Sequence, residues 1–194
     1  MKAAPVEGTR LKILDSAISL FLARGFNNVK TRDLTDHMGI SRSHIYHYFA
    51  DWHTLRHEAI ALFMRRDIEN FSNEAIGKSP IEALQFYIEQ HLPDKIDDEW
   101  QLYNSVWIAA AHEETYSSLA THIMNEWAEL IESFIRAGVI QGMFHDIDTA
   151  RVARLIGGAV NGYADILTVS PTQELRIQAR EDLNFLIHNL LNKE

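Results

Sequence analysis

The chain has no cysteine, only four prolines among its 194 residues, and no run of apolar residues that approaches eighteen. The missing cysteines exclude disulfides and thiolate metal sites and make an intracellular, cytoplasmic setting the expectation. The missing apolar run leaves no candidate membrane span, and nothing after Lys2 resembles the apolar stretch of a secretory signal. Runs of alternating β-branched residues are also lacking, so no strand is expected. Enzyme-like patterns are equally scarce. No glycine-rich phosphate loop, no Ser-His-Asp pattern and no carboxylate pair rises above chance. An enzyme is therefore disfavoured, and no cofactor is expected. The ten histidines invite a metal reading, but His53 and His57 stand four apart with no third ligand in view. His145-Asp146-Ile147-Asp148 falls in an expected loop. Pairs of this kind are far more often solvated than metal-bound, so no metal is expected either.

Positive charge is in short supply: 18 Lys and Arg against 27 Asp and Glu, a net charge of −9. Its distribution matters more than the total. Residues 1–65 carry nine basic and six acidic side chains, a net +3, whereas residues 66–194 carry nine and twenty-one, a net −12. The basic character thus lies at one end, as a surface that meets phosphates requires.

What that end contains is a pair of short amphipathic segments, Thr31 to Phe49, around one glycine. Leu34 and Met38 recur at i and i+4 in the first, Ile45 and Phe49 in the second. Thr31 and Ser41 stand where helix N-caps are wanted, and Gly39 can adopt the left-handed conformation that ends one helix and re-aims the chain. The pattern predicts a helix-turn-helix whose second helix enters the DNA major groove. With Ile40, Ile45, Tyr48 and Phe49 turned inward, Arg42, Ser43, His44, Tyr46 and His47 are left outward or flanking. Arginine can grip a guanine edge at two points, Ser and His share hydrogen bonds with bases, and a tyrosine hydroxyl reaches a phosphate oxygen. The expected DNA-contacting set is Thr31, Arg32, Ser41, Arg42, Ser43, His44, Tyr46, His47 and Tyr48. A preceding helix, capped by Thr9 after a loose arm over residues 1–8, carries Leu14, Ala17, Ile18, Phe21 and Leu22 on one face and ends at Gly25. Its Arg10 and Lys12 are within reach of phosphate. Phe21, Leu34 and Phe49 would close a small core.

A helix from about Asp51 to Asn73 is apolar on more than one face, as expected for a connector buried by several neighbours. Further helices are predicted over about 80–92, 98–112, 117–137, 148–169 and 172–191. The expected architecture is all-α: a three-helix DNA-binding domain over residues 1–51, joined by the connector helix to a larger ligand-binding and dimerisation domain over residues 52–194.

The first fifty-five residues resemble the N-terminal domain of the TetR family of transcriptional repressors. The resemblance rests on Ile13, Ala17, Phe21, Gly25, Thr31, Leu34, Gly39, Ser41, Ile45, Tyr46, Phe49 and Leu55 in the family's spacing. Trp52-His53 stands where the family usually has a lysine, and Thr35 where alanine is common. Residues 100–163 resemble, more weakly, the C-terminal domains of the group containing the choline-responsive betaine-pathway repressor, through Trp100, Trp107, Leu119, His122, Trp127, Gly142, Phe144, Asp148 and Gly162-Tyr163. Asn161 stands where that group often has aspartate. The resemblance implies a homodimer with a helical ligand-binding domain behind each DNA module, released from its operator by a small molecule.

Two constellations fit such a role. Trp100, Tyr103, Asn104 and Trp107 on one helix, Ile123, Met124 and Trp127 on the next, and Tyr163 beyond them suit a pocket for an apolar, flat or cationic molecule, since indole faces attract cations. Plain core packing is the alternative. The second is Gly157, Gly158, Ala164, Leu175, Ala179, Leu183, Leu186 and Leu190 on the last two helices, which paired with a symmetric copy would form a four-helix dimer interface. Burial within one chain is the alternative there. An architectural or activating DNA binder without an effector is the remaining functional rival.

Overall fold

The computed structural model describes residues 6–95 and 97–192. Among them are nine helices and no strand: α1 (Val6–Arg24), α2 (Thr31–Met38), α3 (Arg42–Tyr46), α4 (Trp52–Glu74), α5 (Pro80–His91), α6 (Asp98–Ala110), α7 (Glu114–Ile140), α8 (Thr149–Val169) and α9 (Gln173–Leu191). The all-α expectation holds. No helix of the described residues is long and apolar enough to cross a membrane.

The helices gather into two compact units. One holds the described residues up to Asp67 together with Asp98–Thr121, and the other holds Ile68–Asp97 with the residues from His122 onward. This division does not fall at residue 51. It adds α6 and the first turns of α7 to the helix-turn-helix, and α4 and α7 each contribute to both units.

In the first unit α1 packs on α2 and α6, and α2 on α3. Ile13, Ala17, Phe21, Phe26, Leu34, Ile45, Phe49 and Leu55 are buried. The local capping differs from expectation at two threonines. Helix α1 is already formed at Val6, so Thr9 lies inside it rather than at its cap. Thr31 is the first helical residue of α2, not its cap. The capping position belongs to Lys30, whose backbone N–H donates to the Asp33 carboxylate at 2.8 Å. The other turns follow their residue chemistry. Gly25 ends α1 at φ +83° and returns its N–H to the Phe21 carbonyl at 2.9 Å. Asp51 caps α4 by accepting the Thr54 N–H at 2.7 Å, a bond that lowers its carboxyl pKa. Ion pairs of Arg10 with Glu58 and of Arg66 with Asp15 (2.5 Å) tie α1 to α4.

In the second unit α5 packs on α8 and α9, and these two on each other. Its core includes Phe71, Leu84, Ile88, Ile135, Ile156, Val160, Leu167, Leu183 and Ile187. Ser79 and Glu82 form a capping box in front of Pro80 at the first turn of α5. At the other end of α5, Arg176 reaches across from α9 and donates to the Leu92 carbonyl (2.9 Å) and the Glu89 carboxylate (2.9 Å), satisfying an end that would otherwise lack partners. Helix α7 does not break at Gly138 but runs on to Ile140. Gly138 is there for a different reason. A Cβ at that position would lie 2.1 Å from two carbons of the Phe144 ring, which folds back over it after Gly142 turns the chain at φ +70°.

Candidate nucleic-acid interface

The candidate surface is built from the turn outward. Gly39 adopts φ +64°, ψ +33°, and its N–H caps back to the Thr35 carbonyl, which ends α2 abruptly. Two residues later Ser41 Oγ accepts the His44 N–H at 3.2 Å and starts α3. Ile45 (0% exposed) and Phe49 (3%) anchor the short helix in the core. With that face fixed, helical geometry leaves Arg42, Ser43, His44, Tyr46 and His47 exposed, with Ile40 and Tyr48 half-buried.

The exposed groups are not equally free. Ser43 Oγ lies 2.8 Å from Ser41 Oγ, so one of the two hydroxyls is engaged by the cap. The Tyr46 hydroxyl lies 3.2 Å from Thr31 Oγ1. Thr31 is buried, and its hydroxyl meets the phenol from beneath. Tyr48 is bracketed by the His44 and His47 rings at 5.5 and 5.1 Å. Arg32 is exposed and paired with Asp36 at 3.5 Å, whereas Arg42 has no ion-pair partner among the described residues. Arg10 is already engaged within the unit: besides its bond to Glu58, its guanidinium lies 4.8 Å over the Phe49 ring.

The aromatic residues expected to meet a small molecule fall in both units. In the first, Tyr103 is buried and donates its hydroxyl to the Asp67 carboxylate at 2.9 Å, with Phe63 at 5.7 Å, Trp100 at 6.1 Å and Trp107 at 5.9 Å; Asn104 is half-buried. In the second, Ile123 is fully buried, Met124 is half exposed, and the Tyr163 hydroxyl is taken by Asp182 of α9 at 2.6 Å. That bond pushes the Tyr163 phenol up. Trp127 stands in a cluster that periodicity alone did not reveal: His91 at 4.8 Å and near-perpendicular, Phe71 at 5.3 Å and Tyr87 at 5.8 Å. The His91 and Tyr87 rings are 4.2 Å apart. His91 Nδ1 lies 2.9 Å from the Tyr87 carbonyl, which can only accept, so Nδ1 carries the proton of the neutral ring. Burial holds the His91 pKa down at about 4, which keeps the cluster uncharged near neutrality.

The residues predicted for a dimer interface are mostly turned inward. Ala164, Ala179 and Leu183 are sealed in the chain's own core, Leu175 and Leu190 pack against it, and a Cβ at Gly157 would lie 3.8 Å from Ile131. Leu186 is half-buried, and Gly158 alone of the eight is exposed. The contact of α8 with α9, and of both with α5, takes up that face. The outward face of α8 is a different apolar stripe: Leu155 (48% exposed), Gly158, Gly162, Ile166 (51%) and Val169 (87%), with Phe185 (72%) exposed on α9.

An open groove of about 450 Å³ is lined by Ile81 and Gln85 of α5, Phe144, and Asn184, Ile187 and Leu191 of α9 among others. Among the described residues no group of three or more His, Asp or Glu side chains is placed to hold a metal.

Two family models match the chain. The model described as bacterial regulatory proteins, tetR family, matches residues 13–52. The model described as BetI-type transcriptional repressor, C-terminal, matches residues 80–192. Among solved structures, a TetR transcription regulator from Haloarcula marismortui is 15% identical, with a TM-score of 0.84 covering 96% of this chain and 100% of that one. A TetR family regulator from Cytophaga hutchinsonii is 18% identical, with a TM-score of 0.81 and 100% of both chains covered. A putative transcriptional regulator from Saccharomonospora viridis, solved in complex with choline, is 23% identical, with a TM-score of 0.77 covering 96% of this chain and 100% of that one. These likenesses speak to the fold. No curated protein sequence matches the chain.

Proposed function

From the premise that this chain belongs to the tetR family of bacterial transcriptional regulators, we propose that it is a one-component repressor. It binds a pseudo-palindromic operator as a homodimer and is released by a small-molecule effector. The observation that carries the DNA half of this reading is the exposed polar face of α3 over buried Ile45 and Phe49. Arg42 enters the major groove as the base-reading side chain, with Ser43, His44 and His47 beside it. Tyr46, steadied by Thr31, meets phosphate, which positions the helix without reading sequence.

The outward stripe of α8 supports a dimer. Gly158 and Gly162 sit mid-helix with nothing within 4 Å of where a Cβ would lie, and such a glycine costs about 1 kcal/mol relative to alanine. No contact among the described residues calls for either. The close approach of a second copy's helix does, with Leu155, Ile166, Val169 and Phe185 supplying apolar area.

For the effector, the neutral cluster of Trp127, His91, Phe71 and Tyr87 favours an apolar, flat or cationic molecule, because ring faces attract cations. The choline bound by the Saccharomonospora viridis protein is of that class. Release requires that the effector prefer the DNA-incompetent state by about 1–3 kcal/mol, as for typical coupled sites.

The test begins with selection of duplexes from a random-sequence library by the wild-type protein. A two-fold symmetric consensus is expected, and failure to enrich any sequence refutes the DNA-binding reading. Small cations, flat heterocycles and organic anions are then screened for tryptophan fluorescence changes and duplex release. Trp127→Ala is expected to raise the releasing concentration while leaving duplex affinity nearly intact. Release by anions alone would refute the effector class.

A further inference from the structure

Residue 116 lies nearly seventy positions beyond the helix-turn-helix, yet its side chain is part of that compact unit. Tyr116, in the first turn of α7, is 0% exposed and the bulkiest of the fully buried side chains. Its ring stands perpendicular to Phe26 at 5.8 Å and packs against His53 at 5.7 Å and His57 at 5.8 Å. Phe26 belongs to the link between α1 and α2. His53 and His57 occupy the first two turns of α4, directly after the chain leaves α3 through Phe49 and the Asp51 cap. Arg56, between the two histidines, lies 3.9 Å over the other side of the contact, on the Phe26 ring, and donates to Asn27 at 3.3 Å. Glu113, three residues before Tyr116, approaches His53 at 3.6 Å.

Two features set this contact apart from ordinary filling. It joins the two segments that flank the helix-turn-helix, namely the link that leads into α2 and the helix that leads out of α3. The Tyr116 side chain itself is also held by shape rather than by polar pairing. Neither the Tyr116 hydroxyl nor Arg56 Nε has a hydrogen-bond partner among the described residues, although both atoms are buried. Buried polar atoms left unpaired are rare, so the ring is retained here despite its hydroxyl.

We infer that Tyr116 is a positioning residue for DNA binding: its ring wedges Phe26 against the start of α4 and so fixes the orientation of the recognition helix. The reading unit is therefore discontinuous, and residues 98–121 belong to it as working parts. This inference rests on the DNA-binding reading given above.

The experiment compares wild type, Tyr116→Phe and Tyr116→Leu in the full chain, on the duplex selected by the wild type and on an unrelated duplex. Circular dichroism and sedimentation establish fold and assembly. Tyr116→Leu keeps an apolar side chain but loses the ring. It is expected to weaken binding to the selected duplex at least tenfold, with little change on the unrelated one, at a temperature where it is fully folded. Tyr116→Phe, which loses only an unpaired hydroxyl, is expected to bind within twofold of wild type. A merely structural role would lower the melting temperature of Tyr116→Leu and leave the affinity of the folded protein unchanged, and that result overturns the inference. So does a tenfold loss with Tyr116→Phe, since the ring would then not suffice. If Tyr116→Leu does not fold, His57→Ala removes one wall of the slot instead. A tenfold loss of selected-duplex affinity supports the inference, and parity with wild type overturns it. Failure of the wild type to select any duplex is a separate outcome and sinks the underlying DNA-binding reading.

Discussion

Acidification should loosen the second unit through one residue, His91. Its ring is packed among Tyr87, Phe71 and Trp127, and burial holds its pKa at about 4, against 6.5 for a free imidazole. The unfolded chain therefore binds this proton more readily than the folded one. The stability that follows from neutrality is intact above pH 6.5 and is lost as the pH falls toward 4. Taking those two values, the loss from this site grows from about 1 kcal/mol at pH 5.5 to about 2–3 kcal/mol at pH 4.5. His91→Phe keeps an aromatic ring in the cluster and removes the titrating group. Urea unfolding of both proteins at pH 7, 5.5 and 4.5 isolates the site, because every other carboxylate and histidine is common to the pair. The wild type should lose stability relative to the variant by those amounts as the pH is lowered. A wild-type-to-variant difference that stays constant from pH 7 to 4.5 would refute the argument, and so would one that moves in the opposite sense.

Three further outcomes are expected. Arg42→Ala should weaken binding to the selected duplex by about 1–3 kcal/mol and relax base preference at one position of each half-site, measured on duplexes substituted there; an effect no larger than that of Lys2→Ala would displace Arg42 from the groove. Leu155→Glu with Ile166→Glu places like charges in the apolar stripe of α8 and should abolish dimer and DNA binding together while helical content is retained; a dimer surviving at micromolar concentration in sedimentation would place the interface elsewhere. Gly138→Ala gains helix propensity but must evict the Phe144 ring, whose carbons lie 2.1 Å from the new methyl, and should destabilise the chain by about 2–3 kcal/mol in urea unfolding; stabilisation would show that the ring has another place to go.

The helix-turn-helix was legible because its determinants are local. Gly39, the Ser41 cap and the inward pair Ile45 and Phe49 lie within eleven residues and act on backbone geometry directly. Caps that compete with neighbours were less legible. Thr31 has the chemistry of a cap, but the Asp33 carboxylate supports a start one residue earlier and leaves the threonine hydroxyl to Tyr46. The apolar faces of α8 and α9 were visible, yet their direction was not. Each helix carries apolar residues on more than one side, and periodicity cannot say that Leu183 turns into the chain while Leu155 turns out. The His91 cluster and Tyr116 were missed for a third reason. Phe71, Tyr87, His91 and Trp127 come from three separate helices, and Tyr116 lies one residue outside the predicted helix 117–137, in the turn that α7 gains at its start. Assemblies of that kind leave no spacing signal.

Regulators of this architecture invite modular engineering, in which the reading head of one protein is cut at the end of its matched sequence and joined to the sensing part of another. In this chain such a cut, at about residue 52, would separate Phe26 from the Tyr116 shaped to it and set His53 and His57 against a stranger's side chain. A graft that carries residues 98–121 along, or that rebuilds the Tyr116 slot in the recipient, would transfer the recognition helix together with the surface that aims it.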